Sequence, residues 1–220
     1  MSFREKNRLV YSFGLRMGVF RMEMLFFNRS MAKSTPIYPI LFIPDFSTPK
    51  DFSPNIKPNG SGTAPVGASE EQFGEVLVHY FGVIVRSQQE MLPNGHERPY
   101  TADFLIVEPN TGLHIDIEVD ESHSFATGEP THCIGDDDYR NKCFVEAGWV
   151  VIRFAEEQVV NQPGRCCRFI ANVLAKVTNN TDINKQFADV LPVTPMKQWS
   201  RRHATSLKKN KYRQRYLSVT

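Results

Sequence analysis

The stretch YTADFLIVEPNTGLHIDIEVD, Tyr100 to Asp120, sets two β-rich runs on either side of Pro109-Asn110-Thr111-Gly112. That tetrapeptide is turn chemistry, so the runs read as an antiparallel hairpin. In the second run Ile115, Ile117 and Val119 alternate with Asp116, Glu118 and Asp120. A strand period of two sends the three carboxylates to one face and the aliphatic residues to the other. The turn also brings Asp103 of the first run alongside Glu118 and Asp120. Two readings are open at this point. The acids are the solvated face of an exposed strand, or they converge on a cation, because close carboxylates repel unless a divalent ion such as Mg²⁺ neutralises them.

Working outward, SEEQFGEVLVHYFG (69–82) predicts a helix, with Ser69 as N-cap, Glu70 and Glu71 in the first turn, an apolar stripe of Phe73, Leu77, Tyr80 and Phe81, and a stop at Gly82. VIVRSQQ then predicts a strand. Beyond the hairpin, DDDYRNKCFVEAG predicts a helix ending at Gly148, WVVIRF a buried strand, and GRCCRFIANVLAKV an amphipathic helix. The order α, β, β, β, α, β, α predicts an α/β fold: a mixed sheet with helices on its faces. Before it, residues 1–33 show no clean period. PIYPILFIP predicts an edge or extended segment, and 45–67 a loop rich in Pro, Gly, Ser and Asn. The organisation read from this is an N-terminal extension and linker over 1–66, a core over 67–177 and a basic, helical segment over 178–220.

The net charge is only +2, but it is unevenly spread. Residues 103–138 carry ten Asp or Glu and no Lys or Arg, whereas 197–216 carry eight Lys or Arg and no acid. The first segment suits a metal and the second a polyanion. The four cysteines have no C-x-x-C pair, which argues against a disulfide framework. His132, Cys133 and Cys143 could supply zinc ligands, although buried thiols explain the cysteines better. With no long apolar run, no membrane span is expected, and the reading is an intracellular, cytoplasmic protein of bacterial type.

The helix carboxylate, the Asp103 hairpin, the IEVD strand, the D-x-x-R helix at Asp137 to Arg140 and the GWVVIRF strand together resemble the PD-(D/E)xK nuclease superfamily, which has the restriction-endonuclease-like fold. Within it, they are most similar to the branch related to very-short-patch-repair endonucleases. The resemblance covers about residues 69–177 and rests on the order and spacing of short motifs. It implies a Mg²⁺- or Mn²⁺-dependent endonuclease that hydrolyses phosphodiesters in double-stranded DNA, leaving 5′-phosphate and 3′-hydroxyl ends. Asp103, Glu118 and Asp120 become metal ligands, Glu71 the helix carboxylate, and Gln88 a residue lining the site. Glu70 and Glu75 are rivals to Glu71 on the same helix.

The sequence departs from the family pattern at Asp120, where the superfamily usually has Lys, and at Glu121, where the branch usually has Gly. A lysine would position the attacking water and offset developing charge, so Arg140 or Lys142 on the next helix is expected to supply the cation. His123 reads either as a base behind the ligands or as a surface histidine. Gln88, Arg140 and the tail residues Arg201, Arg202, Lys208, Lys209 and Lys211 are the expected nucleic-acid contacts. A homodimer or an accessory protein partner is compatible with this reading. The alternative is a catalytically inactive module of the same fold that binds nucleic acid or a protein.

Overall fold

A computed structural model describes residues 35–46, 52–63 and 66–217. The segment 1–33 and part of the predicted loop therefore lie outside the described residues. In chain order the elements are β1 (Ile37–Tyr38), β2 (Ile40–Phe42), β3 (Gly60–Ser61), α1 (Glu70–Phe81), β4 (Val85–Met91), β5 (Tyr100–Val107), β6 (His114–Asp120), α2 (Asp138–Glu146), β7 (Val150–Ala155), α3 (Glu156–Asn161), α4 (Pro163–Thr178), β8 (Met196–Lys197), α5 (Arg201–Lys209) and α6 (Tyr212–Leu217). Six strands form a mixed sheet in the order β2-β7-β6-β5-β4-β3, while β1 and β8 pair separately. The sheet is antiparallel except between β6 and β7. The expected mixed α/β sheet with flanking helices is present.

The alternation in β6 decides which side each helix covers. Ile115, Ile117 and Val119 face α1 and α4, joining Phe73, Leu77, Phe104, Ile152, Ile170 and Leu174 in one core. Tyr38, Leu105, Phe144, Trp149 and Val151 form a second core beneath α2 on the opposite face. The acids of β6 share that second face, so a helix covers them rather than water.

The described residues before Val66, 35–46 and 52–63, pack onto the core. Pro39 lacks a backbone N–H and divides the PIYPILFIP run. Its second half, β2, joins the sheet as an edge strand against β7, with Leu41 opposite Ile152. The predicted loop also packs in part: Ile56 N–H donates to the Ala147 carbonyl at 3.3 Å and Trp149 Nε1 donates to Ile56 O at 2.7 Å. Gly148 permits this approach. Its φ is +91°, and a β-carbon there would lie 3.0 Å from the Pro54 Cα.

Replacing fully buried Trp149 by Phe keeps an aromatic ring but leaves the Ile56 carbonyl without its donor. A loss of about 1–3 kcal/mol is expected from urea unfolding, with faster proteolytic cleavage within residues 52–61. Unchanged proteolysis there would mean that this bond does not hold the segment.

Candidate functional site

The carboxylate row of β6 is not solvated. Asp116 and Asp120 have no exposed surface and Glu118 is 2% exposed. The counter-charges come from elements distant in sequence. On β7, Arg153 stands opposite Glu118 in the parallel register. Its Nε donates to Asp120 Oδ2 at 2.9 Å and its Nη2 to Asp120 Oδ1 at 2.5 Å, while Nη1 donates to Asn141 Oδ1 at 3.0 Å. From α2, Arg140 donates to Glu118 Oε1 at 2.5 Å and also to the Thr101 carbonyl. Tyr38 completes the shell of Asp120 with a 2.8 Å bond from its hydroxyl.

The β5–β6 ladder opens beside Glu118. Beyond the Phe104–Ile117 pair, the Val119 N–H is taken by Asp103 Oδ2 at 2.8 Å rather than by the opposite strand. Together with the Arg140 bond to Thr101, this splay brings Asp103 next to Glu118. Burial, then the charges of Glu118 and Glu70, push the Asp103 carboxyl well above the usual carboxylate range.

The helix carboxylate that turns inward is Glu70, not Glu71. Glu71 and Glu75 are exposed on the outer side of α1. Glu70 is 8% exposed, accepts from Gly67 N at 2.7 Å and from Gln88 Nε2 at 3.1 Å. Burial raises its pKa, partly offset by the Gly67 bond and supported by Glu118 and Glu121. Gln88 lies beside Glu70, held there by a left-handed backbone at φ +51°, with its Oε1 buried and unpartnered. Neither oxygen of Asp116 meets a donor among the described residues; burial, then the charge of Glu118 and a hydrogen bond shared with it, raise its carboxyl well above the ordinary value.

Asp120 takes a different place from the one the resemblance implies. It belongs with His132 and Asp137, residues the carboxylate reading did not use, and these three offer ligand atoms all within 4.8 Å of one another, a grouping that could hold a metal ion. Arg153 reaches into the same group, with Nη2 3.2 Å from Asp137 Oδ2. His132 Nδ1 lies 3.0 Å from Asp137 and 3.5 Å from Asp120. Burial opposes a charged imidazole, but Asp120 and the hydrogen bond to Asp137 prevail and raise His132 to about 9. Its Nδ1 then carries a proton that it donates to Asp137, so the 3.1 Å approach of Arg153 to that nitrogen is a contact between cations and not a hydrogen bond. Asp137, despite burial, is lowered to about 2 by His132 and Arg153. The zinc set does not assemble: Cys133 and Cys143 are buried free thiols, and His132 turns to the carboxylates.

The remaining expected residues divide. Lys142 is exposed and pairs with Glu146 at 3.6 Å along its own helix, so it does not reach the carboxylates. Arg140 points inward onto Glu118, where it or Lys142 is expected to supply a cation. His123 is 3% exposed and hydrogen-bonded to Ser122, so it is no surface histidine. In the tail, Arg202, Lys208, Lys209 and Lys211 are exposed, and Arg201 pairs with Asp136 at 3.0 Å. Arg213 is the exception: it grips Glu156 through two 2.6 Å bonds, reaches the His123 carbonyl at 2.5 Å and lies 3.8 Å over the Phe125 ring. That anchor holds the exposed cations beside the 121–131 loop, where Lys208 lies over Gly128. No family model, curated protein or solved structure matches the chain.

Two outcomes follow from this network. Arg153→Met strands a fully buried Asp120 and is expected to cost about 3–5 kcal/mol. The double variant Arg153→Met with Asp120→Asn should recover part of that loss, as a double-mutant cycle of urea midpoints will read; simple additivity would mean that the pair is not coupled. His132 has a folded pKa above its unfolded value, so its stabilisation is complete below about 6.5 and is lost as pH rises through about 9. The stability difference between wild type and His132→Asn should therefore shrink between pH 7 and about 10, and a flat difference would refute the assignment.

Proposed function

We propose that the chain is a metal-dependent endonuclease of restriction-endonuclease-like fold acting on double-stranded DNA. The observation that carries this is the convergence of Glu70, Asp103 and Asp116 on Glu118, with, among the described residues, Arg140 and a share of Arg153 to neutralise them. The under-neutralised end of the row is oxygen-rich, part-open at Asp103 and lined by a buried unpartnered Gln88 oxygen. That donor set fits Mg²⁺ or Mn²⁺, which bind through one or two carboxylates and keep waters for the substrate. Asp103 and Glu118 are the proposed ligands, with Glu70 beside them. An ion held there would polarise the scissile phosphate and lower the pKa of a water.

The chain's own groups account for the rest. Glu70, with a raised pKa and Gln88 fixing one oxygen, is placed to accept the proton of the attacking water. Arg140 supplies beside Glu118 the positive charge that the resembling family draws from a lysine. Asp120, saturated by Arg153 and Tyr38, positions Arg153 rather than an ion. The exposed tail cations hold the phosphate backbone against an acidic face that would otherwise repel it.

Plasmid nicking in Mg²⁺ and in Mn²⁺ tests this reading. Asp103→Ala and Glu118→Ala should each lower the rate by about 10²-fold or more, the scale on which a few kcal/mol of transition-state stabilisation acts. Glu70→Gln should lower it by about 10-fold or more, whereas Glu71→Gln should leave it unaltered. Absence of metal-dependent cleavage by folded protein would sink the enzyme reading. One observation favours the alternative, a silent nucleic-acid-binding module: guanidinium groups already sit on both Glu118 and Asp120. Duplex binding that survives without any cleavage is its expected result.

A further inference from the structure

A second charged site lies further along the sheet face that carries the carboxylate row. Between the packed segment 53–60 and the start of β4 runs a groove of about 390 Å³, walled by Lys57, Arg86, Gln89, His114 and the Gly112 backbone, with no carboxylate among its lining residues. The strand register builds it. Arg86 stands opposite Leu105 and His114 opposite Val107, so the β4, β5 and β6 positions fall side by side. The bonds from Ile56 to Ala147 and from Trp149 to Ile56 fix the segment that brings in Lys57.

Among the described residues that line it, the groove carries positive charge and no carboxylate. Among the described residues neither Lys57 nor Arg86 is ion-paired, and both act on His114, whose pKa is lowered by burial first and then by Arg86 and Lys57. The His114 ring is 7% exposed, donates from Nδ1 to the Gly112 carbonyl at 2.7 Å and packs 5.2 Å from the Trp149 ring. Its orientation is thus fixed; with Nδ1 carrying the proton of the neutral ring, Nε2 is an acceptor and meets an anion only on taking up a second proton. Like charges drawn together with no acid between them are the mirror of the carboxylate row. An anion relieves them as a cation relieves the acids.

We propose that this groove holds a backbone phosphate of the DNA substrate, flanking the phosphate to be cleaved; the inference rests on the endonuclease reading. His114 and Glu118 are four residues apart on β6, a separation of about 13 Å at ~3.3 Å per residue. Successive phosphates of one strand advance about 3.4 Å along the duplex axis and wind about it as they do, so a straight path of this length spans fewer than four of them. The tail cations lie beyond the Asp120 end of the row and the groove beyond its His114 end. A duplex laid across the acidic centre meets positive charge on both sides.

Binding of a fluorescent 20-base-pair duplex by the full chain, measured in EDTA over a range of salt concentrations, tests the site without requiring cleavage. Lys57→Ala/Arg86→Ala should weaken binding about 10-fold and reduce the salt slope by about 1–2, with a thermal midpoint close to wild type. Wild-type affinity and slope in the double variant would overturn the proposal. Ring NMR signals of His114 separate the sources of phosphate. Duplex at micromolar concentration should shift them, whereas inorganic phosphate or a mononucleotide should require tens of millimolar. Equal potency of inorganic phosphate, or a wild-type chain that binds no duplex, would overturn the DNA assignment. Loss of cleavage with this binding intact would instead count against the endonuclease reading alone.

Discussion

The buried pair of Arg153 and Asp120 is the constraint on which the architecture turns. A guanidinium and a carboxylate with almost no solvent contact are stable together only when every polar atom is satisfied. Here Arg153 meets Asp120 through two nitrogens, Asn141 through the third and Asp137 besides. These partners come from β6, α2 and the loop before α2. Sliding β7 by one residue against β6 would turn Arg153 to the opposite, apolar face and leave Asp120 unpaired. The pair therefore fixes the one parallel register in the sheet as well as the seat of α2.

Neutralisation along the row is unequal, and that inequality gives the site its direction. At the Asp120 end, Arg153 and a protonated His132 balance Asp120 and Asp137, which leaves little reason for a further cation even though the ligand spacing would accept one. At the Glu118 end, Arg140 faces Glu118, Asp103 and Asp116, with Glu70 adjacent. Carboxylates there relieve their repulsion by taking protons or by holding a metal. A metal-free protein would take protons there and a metal would displace them, so binding of the proposed ion at this end would be coupled to proton release.

The order of elements was legible because period and turn chemistry are local. The hairpin at Pro109–Gly112, the α1 stripe and the buried WVVIRF strand all depend on neighbours within a few residues. Burial of the charged strand face was not legible, because its counter-ions lie about 20 to 35 residues downstream and alternation alone suggests water. Glu70 and Glu71 differ by 100° around a helix, and two adjacent acids do not reveal which one points inward. The cue was present but slight: Gly67, three residues before Glu70, leaves room for its carboxylate, and a β-carbon at that glycine would lie 2.5 Å from Glu70 Oε1. The arginine of WVVIRF carried a stronger signal, since a cation within an otherwise apolar buried strand needs a carboxylate beside it.

The C-terminal segment shows how a basic segment divides into packed and exposed cations. Buried Arg213 spends its charge on Glu156, with Tyr216 donating to the same carboxylate at 2.7 Å and Tyr212 to Glu157 at 2.5 Å. Glu156 begins α3 directly after Ala155, the last residue of the strand that bears Arg153. One strand thus holds the counter-ion of the carboxylate row and, a few residues on, the anchor of the exposed lysines. Such a short covalent path limits how far the cations can drift from the acids. The polar faces of α5 and α6 remain open because their packing is concentrated in Ala204, Arg213 and Tyr216. Packing and exposed charge are therefore divided among different residues of the same segment, and the first fixes where the second stands.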